Sequence, residues 1–258
     1  MAAVRGQAIT LLLGALVLLS LNGLAVNAQS WAATSWTAAH ATFYGGTDAS
    51  GTMGGSCGYG NLYSSGYDTN TAALSVALFN NGLSCGACFQ IQCVTSQTSY
   101  CYPGKSITVT ATNLCPDGSY GGWCNQPNLH FDLAYPMFST LAQPVGGVIP
   151  VQFQRVSCQR NGGIEFTMNG NPYFLLVLVT NVAGGGDVAG LQVKSDSSGW
   201  YTMNHNWGQN WELDDHSELA KSELSFSVTL GNGVTQTFTD VVSSGWGFSQ
   251  AYQCTTNF

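Results

Sequence analysis

Charge is scarce in this 258-residue chain: Asp, Glu, Lys and Arg make up 7% of it, six basic side chains against thirteen acidic ones. With a net charge of −7 the chain lacks the basic footprint that phosphate backbones require, so nucleic acid is not an expected partner. The four histidines lack ligand spacing, and the C-x-x-C at 85–88 has no second pair to complete a metal site. Neither a metal nor a cofactor is therefore expected. There is no G-x-S-x-G elbow, and the glycine-rich GGSCGYG at 54–60 opens no helix and makes no phosphate cradle. Internal repeats, low-complexity tracts and N-x-S/T sequons are missing too. Past residue 28 no stretch is long and apolar enough to span a bilayer.

What is present begins with Arg5 and the apolar run ITLLLGALVLLSLNGLAV, followed by small residues at Val26 and Ala28. This pattern predicts a signal peptide over 1–28 and a secreted, soluble remainder. Nine cysteines then fit an oxidising compartment, eight of them between Cys57 and Cys158 and Cys254 alone near the end. The ninth is either free or paired between chains.

The cysteine-rich segment 29–158 reads as short strands tied by loops: HATFYGG, CFQIQC, SITVTATNLC, LHFDL and VIPVQFQRVSC. A helix is predicted over 70–82, capped by Asn70 or Thr71 and stopped by Gly82, and a second from Pro136 to before Pro144. Residues 159–162 read as a polar linker. From 163 to 258 alternating strands and a GNG hairpin signal predict a β-sandwich. The apolar run FLLVLV suits a central strand of it. The fold class is thus all-β dominated, a disulfide-stapled barrel or sandwich followed by a second sandwich.

A chain whose polar surface is mostly amide, hydroxyl and aromatic suits neutral polar ligands, of which polysaccharide is the obvious one. In LHFDL, strand alternation puts His130 and Asp132 on one face and Phe131 and Leu133 on the other. Asp132 is a candidate proton donor. Inverting glycoside cleavage needs a second carboxylate ~6.5–9.5 Å away to activate water. The first segment offers Asp48 in a glycine-rich loop, Asp68 ahead of the predicted helix and Asp117 in a turn, while Asn113 cannot serve as a base. The second carboxylate is missing or badly placed. In the second segment Tyr173, Trp200, Trp207 and Trp211 could stack on sugar rings. The competing reading is burial in the core, which weighs equally for Trp207 and Trp211.

The stretches ATFYGGTDASGTMGGSCGYGNLY, GYDTNTAALSVALFNNGLSCGACFQIQC, TVTATNLCPDG, GGWCNQPNLHFDL, GGIEFTMNG, NVAGGGDVAG and NWGQNW, in this order, resemble a plant α-expansin along nearly the whole chain. The resemblance implies a six-stranded double-psi β-barrel related to inverting endoglucanases, then an immunoglobulin-like β-sandwich that binds cellulose. It implies a secreted plant cell-wall protein, a monomer, that loosens contacts between cellulose and matrix glucans such as xyloglucan without hydrolysis. The alternatives are a weak inverting endoglucanase or transglycosylase, and a barwin-type binding or defence protein. Carried over by position, Asp132 matches the endoglucanase acid; Thr42, Tyr44, Asp48, Asn113 and His130 belong to the polysaccharide groove; and Tyr173, Trp200 and, more weakly, Phe174 form the cellulose platform. Implied disulfides are Cys57–Cys85, Cys88–Cys158, Cys93–Cys101 and, for the remaining pair, Cys115–Cys124. The chain departs from the usual pattern in its acidic charge, in its short Cys115–Cys124 loop and in Cys254.

Overall fold

The computed structural model describes residues 34–258 other than Pro172, His216, Glu218 and Lys221, and only the backbone of Tyr120; the predicted signal peptide lies outside these residues. Six strands close a barrel: β1 (Thr37–Tyr44), β2 (Thr71–Leu74), β3 (Cys88–Cys93), β4 (Ser106–Leu114), β5 (His130–Ala134) and β6 (Ile149–Val156), in the order β1-β5-β2-β4-β3-β6. The pairs β1–β5 and β2–β4 are parallel and the other pairs antiparallel, so two crossover connections interlock. Inward positions follow the two-residue period: Ala39 and Ala41, Phe89 and Ile91, Val109 and Ala111, Phe131 and Leu133, Val151 and Phe153 are all buried.

Residues 70–82 are not one helix. Thr71–Leu74 form β2, buried at all four positions between β4 and β5, and only Val76–Phe79 are helical (α1). A short apolar run buried on both faces carries no periodicity that separates strand from helix. Ser75 makes the turn between them, its N–H donating to the His130 carbonyl and its hydroxyl to that of Asn128. The second predicted helix is α2 (Tyr135–Leu141), with proline in its first turn. Four disulfides, Cys57–Cys85, Cys88–Cys158, Cys93–Cys101 and Cys115–Cys124, are the pairs the resemblance implies, and Cys254 is a half-buried free thiol.

Nine further strands, β7 (Glu165–Asn171), β8 (Phe174–Thr180), β9 (Val188–Ser195), β10 (Tyr201–Thr202), β11 (Asn204–Trp207), β12 (Asn210–Leu213), β13 (Leu224–Leu230), β14 (Thr235–Val242) and β15 (Gln250–Gln253), form two sheets ordered β10-β9-β13-β14 and β11-β12-β8-β7-β15. Their inner faces share one core, in which Phe166 stacks on Phe226 at 4.2 Å between ring centres. β8 is the central strand of its sheet. Its Leu175, Val177 and Val179 face that core, while Leu178 on the opposite face packs against the barrel.

The two halves meet through backbone. Gly208, at φ +57°, lies so close to the barrel that a Cβ there would sit 2.5 Å from the Cys57 carbonyl oxygen. Next to it, Gln209 donates its backbone N–H to the carbonyl of Cys57 (3.0 Å) and its amide to that of Cys85 (3.1 Å), reaching both ends of one disulfide. Elsewhere Cys158 and Gly184 exchange backbone hydrogen bonds, and Arg155 of β6 pairs with the buried Asp187 at 2.8 Å. Gly208→Ala should therefore cost about 2–3 kcal/mol, from left-handed strain together with the backbone clash. Urea unfolding measures it, and a loss below about 0.5 kcal/mol, the ordinary surface value, would contradict the close joint.

Candidate functional site

Strand register sets four residues in one row: Thr42 of β1 opposite Asp132 of β5, Asp132 opposite Ala73 of β2, and Ala73 opposite Asn113 of β4. Alternation explains Asp132, since Phe131 and Leu133 go into the barrel core and Asp132 turns outward into a cavity of about 320 Å³. Thr42, Trp123, His130, Ser119 and the Cys115–Cys124 disulfide also line that cavity.

The Thr42 hydroxyl links the two titratable groups. It donates to Asp132 Oδ1 at 2.7 Å and lies 2.8 Å from His130 Nε2. A hydroxyl has one proton, so the His130 ring is the donor to Thr42 whenever Thr42 donates to the carboxylate. Burial raises the pKa of Asp132, and the Thr42 hydrogen bond offsets part of that rise. Burial, with the nearby His40 adding to it, pulls His130 down to about 4. In mildly acidic solution the site therefore holds a neutral imidazole beside a carboxyl that keeps its proton more readily than an exposed aspartate.

His130 lines the cavity but is covered. Alternation puts it on the groove face, yet its exposure is 0%. Trp123 stacks on it at 6.2 Å between ring centres, and His40 packs on Trp123 at 4.7 Å. His130 is therefore a covered part of the cavity wall, with the Thr42 hydroxyl against its Nε2. Trp123, quoted in the sequence only as part of GGWCNQPNLHFDL, is the aromatic that lines the cavity. Its place beside Cys124 was the available signal, but the contact depends on how the Cys115–Cys124 loop folds back.

The other groove candidates divide. Tyr44 packs over Ala73 and the Cys115–Cys124 disulfide. Its hydroxyl is buried without a hydrogen bond. Burial raises its pKa, the neighbouring Asn113 amide draws it partly back, and the charge of Asp132 adds to the rise. Asn113 Oδ1 accepts from the backbone N–H groups of Ser56 (2.8 Å) and Leu114 (2.9 Å), so this amide fixes the 54–56 loop. Asp48 is fully exposed, and its carboxylate accepts from Ser50 N–H, which holds its pKa down. Asp68 and Asp117 are exposed as well. Among the described residues, Asp132 is the only carboxylate lining the cavity.

In the second half Tyr173 is 85% exposed at the β7–β8 turn, Trp200 is 40% exposed just ahead of β10, and Phe174 is half-buried at the start of β8. The ammonium of Lys194 lies 5.2 Å from the Trp200 ring centre. The two other tryptophans separate: Trp211 is core and Trp207 is surface, 48% exposed.

A double-psi barrel with one acid in an open cavity, fixed to a β-sandwich with exposed rings, defines a two-domain class of protein. Comparison with known proteins gives the same division: the profile described as "Expansin C-terminal domain" matches residues 164–243, and one described as "Lytic transglycolase" matches 71–153. Expansin-A13 of Oryza sativa subsp. japonica is 50% identical, over 85% of this chain and 86% of that one. Expansin-A23 of Arabidopsis thaliana is 49% identical, over 85% of this chain and 80% of that one. The chain belongs to the expansin family. Its fold is also that of the Clavibacter michiganensis expansin, with a TM-score of 0.64 at 16% identity over 86% of this chain and 98% of that one. An Asp-to-Asn variant of that bacterial protein, solved with cellohexaose, matches with a TM-score of 0.64 at 14% identity.

The His130 ring should titrate near pH 4, not near 6.5. In the unfolded chain it takes up its proton around 6.5, so folding stability rises with pH between about 4 and 6.5 and its contribution is lost as pH falls through that window. The full effect is up to about 3 kcal/mol and should be missing in His130→Gln. Proton NMR of the ring reads the midpoint directly, and a value near 6.5 would contradict the buried, neutral assignment.

Proposed function

We propose that this chain is a secreted plant cell-wall loosening protein that binds cellulose and separates microfibrils from matrix glucans such as xyloglucan without hydrolysis. The observation that carries the reading is one partly buried carboxyl, Asp132, held by the Thr42 hydroxyl in a cavity with no second carboxylate on its wall among the described residues. Inversion needs an acid and a base on opposite sides of the scissile bond. A lone protonated carboxyl can donate a hydrogen bond to a glycosidic oxygen, but it has no partner to activate water.

In this reading residues 1–28 are a signal peptide, 29–158 the groove domain, 159–162 the linker and 163–258 the cellulose-binding domain. Asp132 contacts the glucan, and Thr42 sets its orientation and shares in polar contact. Tyr44 supports the groove wall from its place over Ala73 and the Cys115–Cys124 disulfide. Asn113 shapes the wall through the 54–56 loop, and Asp48 contributes at most from the rim. His130 supports Thr42 from below. Tyr173 and Trp200, with Phe174 behind them, supply flat apolar faces for cellulose. The protein acts as a monomer in the wall and uses no cofactor.

The test is creep of isolated, heat-killed wall strips under load, with reducing chain ends assayed in the bath and in the solid. Asp132→Asn keeps shape and an amide but cannot titrate, and should abolish nearly all creep. The parent protein should release no sugar. Full creep in the variant would make Asp132 a structural residue. New chain ends that rise with creep and vanish in the variant would establish the endoglucanase reading instead.

A further inference from the structure

Two arginines lie near the end of the barrel, and only one has an acid. Arg155 pairs with Asp187, whereas no carboxylate among the described residues pairs with Arg160. Arg160 is nonetheless fixed. Its Nη2 donates to the hydroxyl of the buried Thr110 at 2.9 Å and lies 3.6 Å from Cys88 Sγ. Its guanidinium centre is 4.9 Å from the centre of the Tyr67 ring. A guanidinium carries five N–H donors in one plane. Here Nε is buried without an acceptor, and Nη1 has only the Gln159 carbonyl at 3.5 Å. A cation held in one orientation with donors to spare is suited to take a carboxylate.

Beside it is a cleft of about 420 Å³, within the ~300–1,000 Å³ usual for small-ligand sites. Asn70, Gln90, Thr108, Ser157 and Gln159 supply amides and hydroxyls, and among the described residues Arg160 is the only charged group on its wall. Strand alternation explains the polar lining. Phe89, Ile91, Ile107 and Val109 are buried in the barrel, so Gln90 and Thr108 between them turn outward. Register sets Gln90 between Thr108 of β4 and Gln154 of β6, and the Gln154 amide donates to Gln90 Oε1 at 2.7 Å. That bond leaves the NH2 group of Gln90 as a donor for the cleft.

The cleft is separate from the Asp132 cavity. β3 stands three strands from β5 in either direction round the barrel, and the two cavities share no lining residue. Their chemistry is opposite: one holds an acid without a cation, the other a cation without an acid. The charge of the chain is also divided. Residues 29–160 hold four acidic and three basic side chains, and residues 161–258 hold nine and two. Charges more than ~8 Å apart are largely screened at physiological ionic strength. An anion reaching the Arg160 face therefore meets a nearly neutral barrel, not the acidic sandwich.

We infer that the Arg160 cleft binds a hydroxylated carboxylate, a uronic acid residue of an acidic polysaccharide, on the side of the barrel away from Asp132. The carboxylate is taken by the guanidinium, and the sugar hydroxyls by the amides and hydroxyls of the wall. No aromatic ring lines the cleft, so charge and hydrogen bonds select the ligand there, not stacking. The site goes beyond the cellulose-binding reading and uses none of its residues, so either can fail alone.

The test is NMR of the full secreted chain titrated with a galacturonic acid trimer, with the methyl ester of that trimer and, separately, with malate. The backbone amides of Gln90, Thr108 and Ser157 should shift saturably with the acid trimer. The ester keeps the shape without the charge and should bind at least about tenfold more weakly, the size of one charge-assisted hydrogen bond. Thr108→Glu sets a carboxylate on the wall and should cost a similar factor, while Thr108→Gln, of the same size, stays within about threefold of the parent. Thr108 is exposed, so neither change disturbs the Arg160 contacts with Thr110 and Tyr67. Equal binding of acid and ester, or equal affinity in the Glu and Gln variants, would overturn the carboxylate assignment. Malate binding as tightly as the trimer would overturn the polysaccharide and assign the cleft to small hydroxy acids. Shifts around Asp132 with none at Gln90, Thr108 and Ser157, or no shift with any of the three probes, would overturn the cleft.

Discussion

The site depends on a carboxyl that is held partly out of water with one hydroxyl for company. Ionising Asp132 there loses hydration that the Thr42 hydrogen bond only partly replaces, so the acid keeps its proton to higher pH than an exposed aspartate. The other features of the groove follow from holding that arrangement. Thr42 is opposite Asp132 because β1 and β5 run parallel in one register. His130 is kept neutral and buried, so it reaches Thr42 without placing a cation beside the acid. Trp123 and the Cys115–Cys124 loop close over the imidazole and form the cavity wall. A positive charge in this place would lower the pKa of Asp132 and leave it ionised.

The second constraint is the joint. Gly208 and Gln209 meet the backbone of the Cys57–Cys85 disulfide, Gly184 meets Cys158, and Arg155 meets Asp187. Two of the three contacts sit on disulfide cysteines. The sandwich is fixed to the scaffold that positions Asp132, and not merely tethered by residues 159–162. A flexible linker alone would let the groove and the exposed rings of the sandwich move as separate modules; this joint orients them relative to one another.

Much of this was legible in the residues. Alternation in LHFDL assigns Phe131 and Leu133 to the core and Asp132 to the cavity, because a strand has two faces and only one was apolar. FLLVLV is central to its sheet, as an unbroken apolar run suggests, and its outer face is covered by the barrel. Three features were not legible. Thr71–Leu74 carries no period that separates a doubly buried strand from a helix. His130 obeys the alternation, and the Trp123 ring of the preceding Cys115–Cys124 loop then covers it, which the strand's own pattern does not report. NWGQNW suggests sugar contact through its tryptophans, but Gly208 and Gln209 serve the joint, Trp211 belongs to the sandwich core, and only Trp207 of the two tryptophans is exposed. Exposure of a tryptophan is a tertiary property, and composition leaves it undecided.

The proposed function makes the protonated form of Asp132 the working one, and the ionisation of that carboxyl itself can be measured. Carbon-detected NMR of the Asp132 side chain across pH gives its midpoint, to be set against the pH profile of wall creep by the same preparation. The expected result is a midpoint above the ordinary 3.8 of aspartate and a creep rate that falls as pH rises through that same midpoint. A carboxyl that ionises at or below 3.8, or creep that stays constant while Asp132 loses its proton, would contradict it.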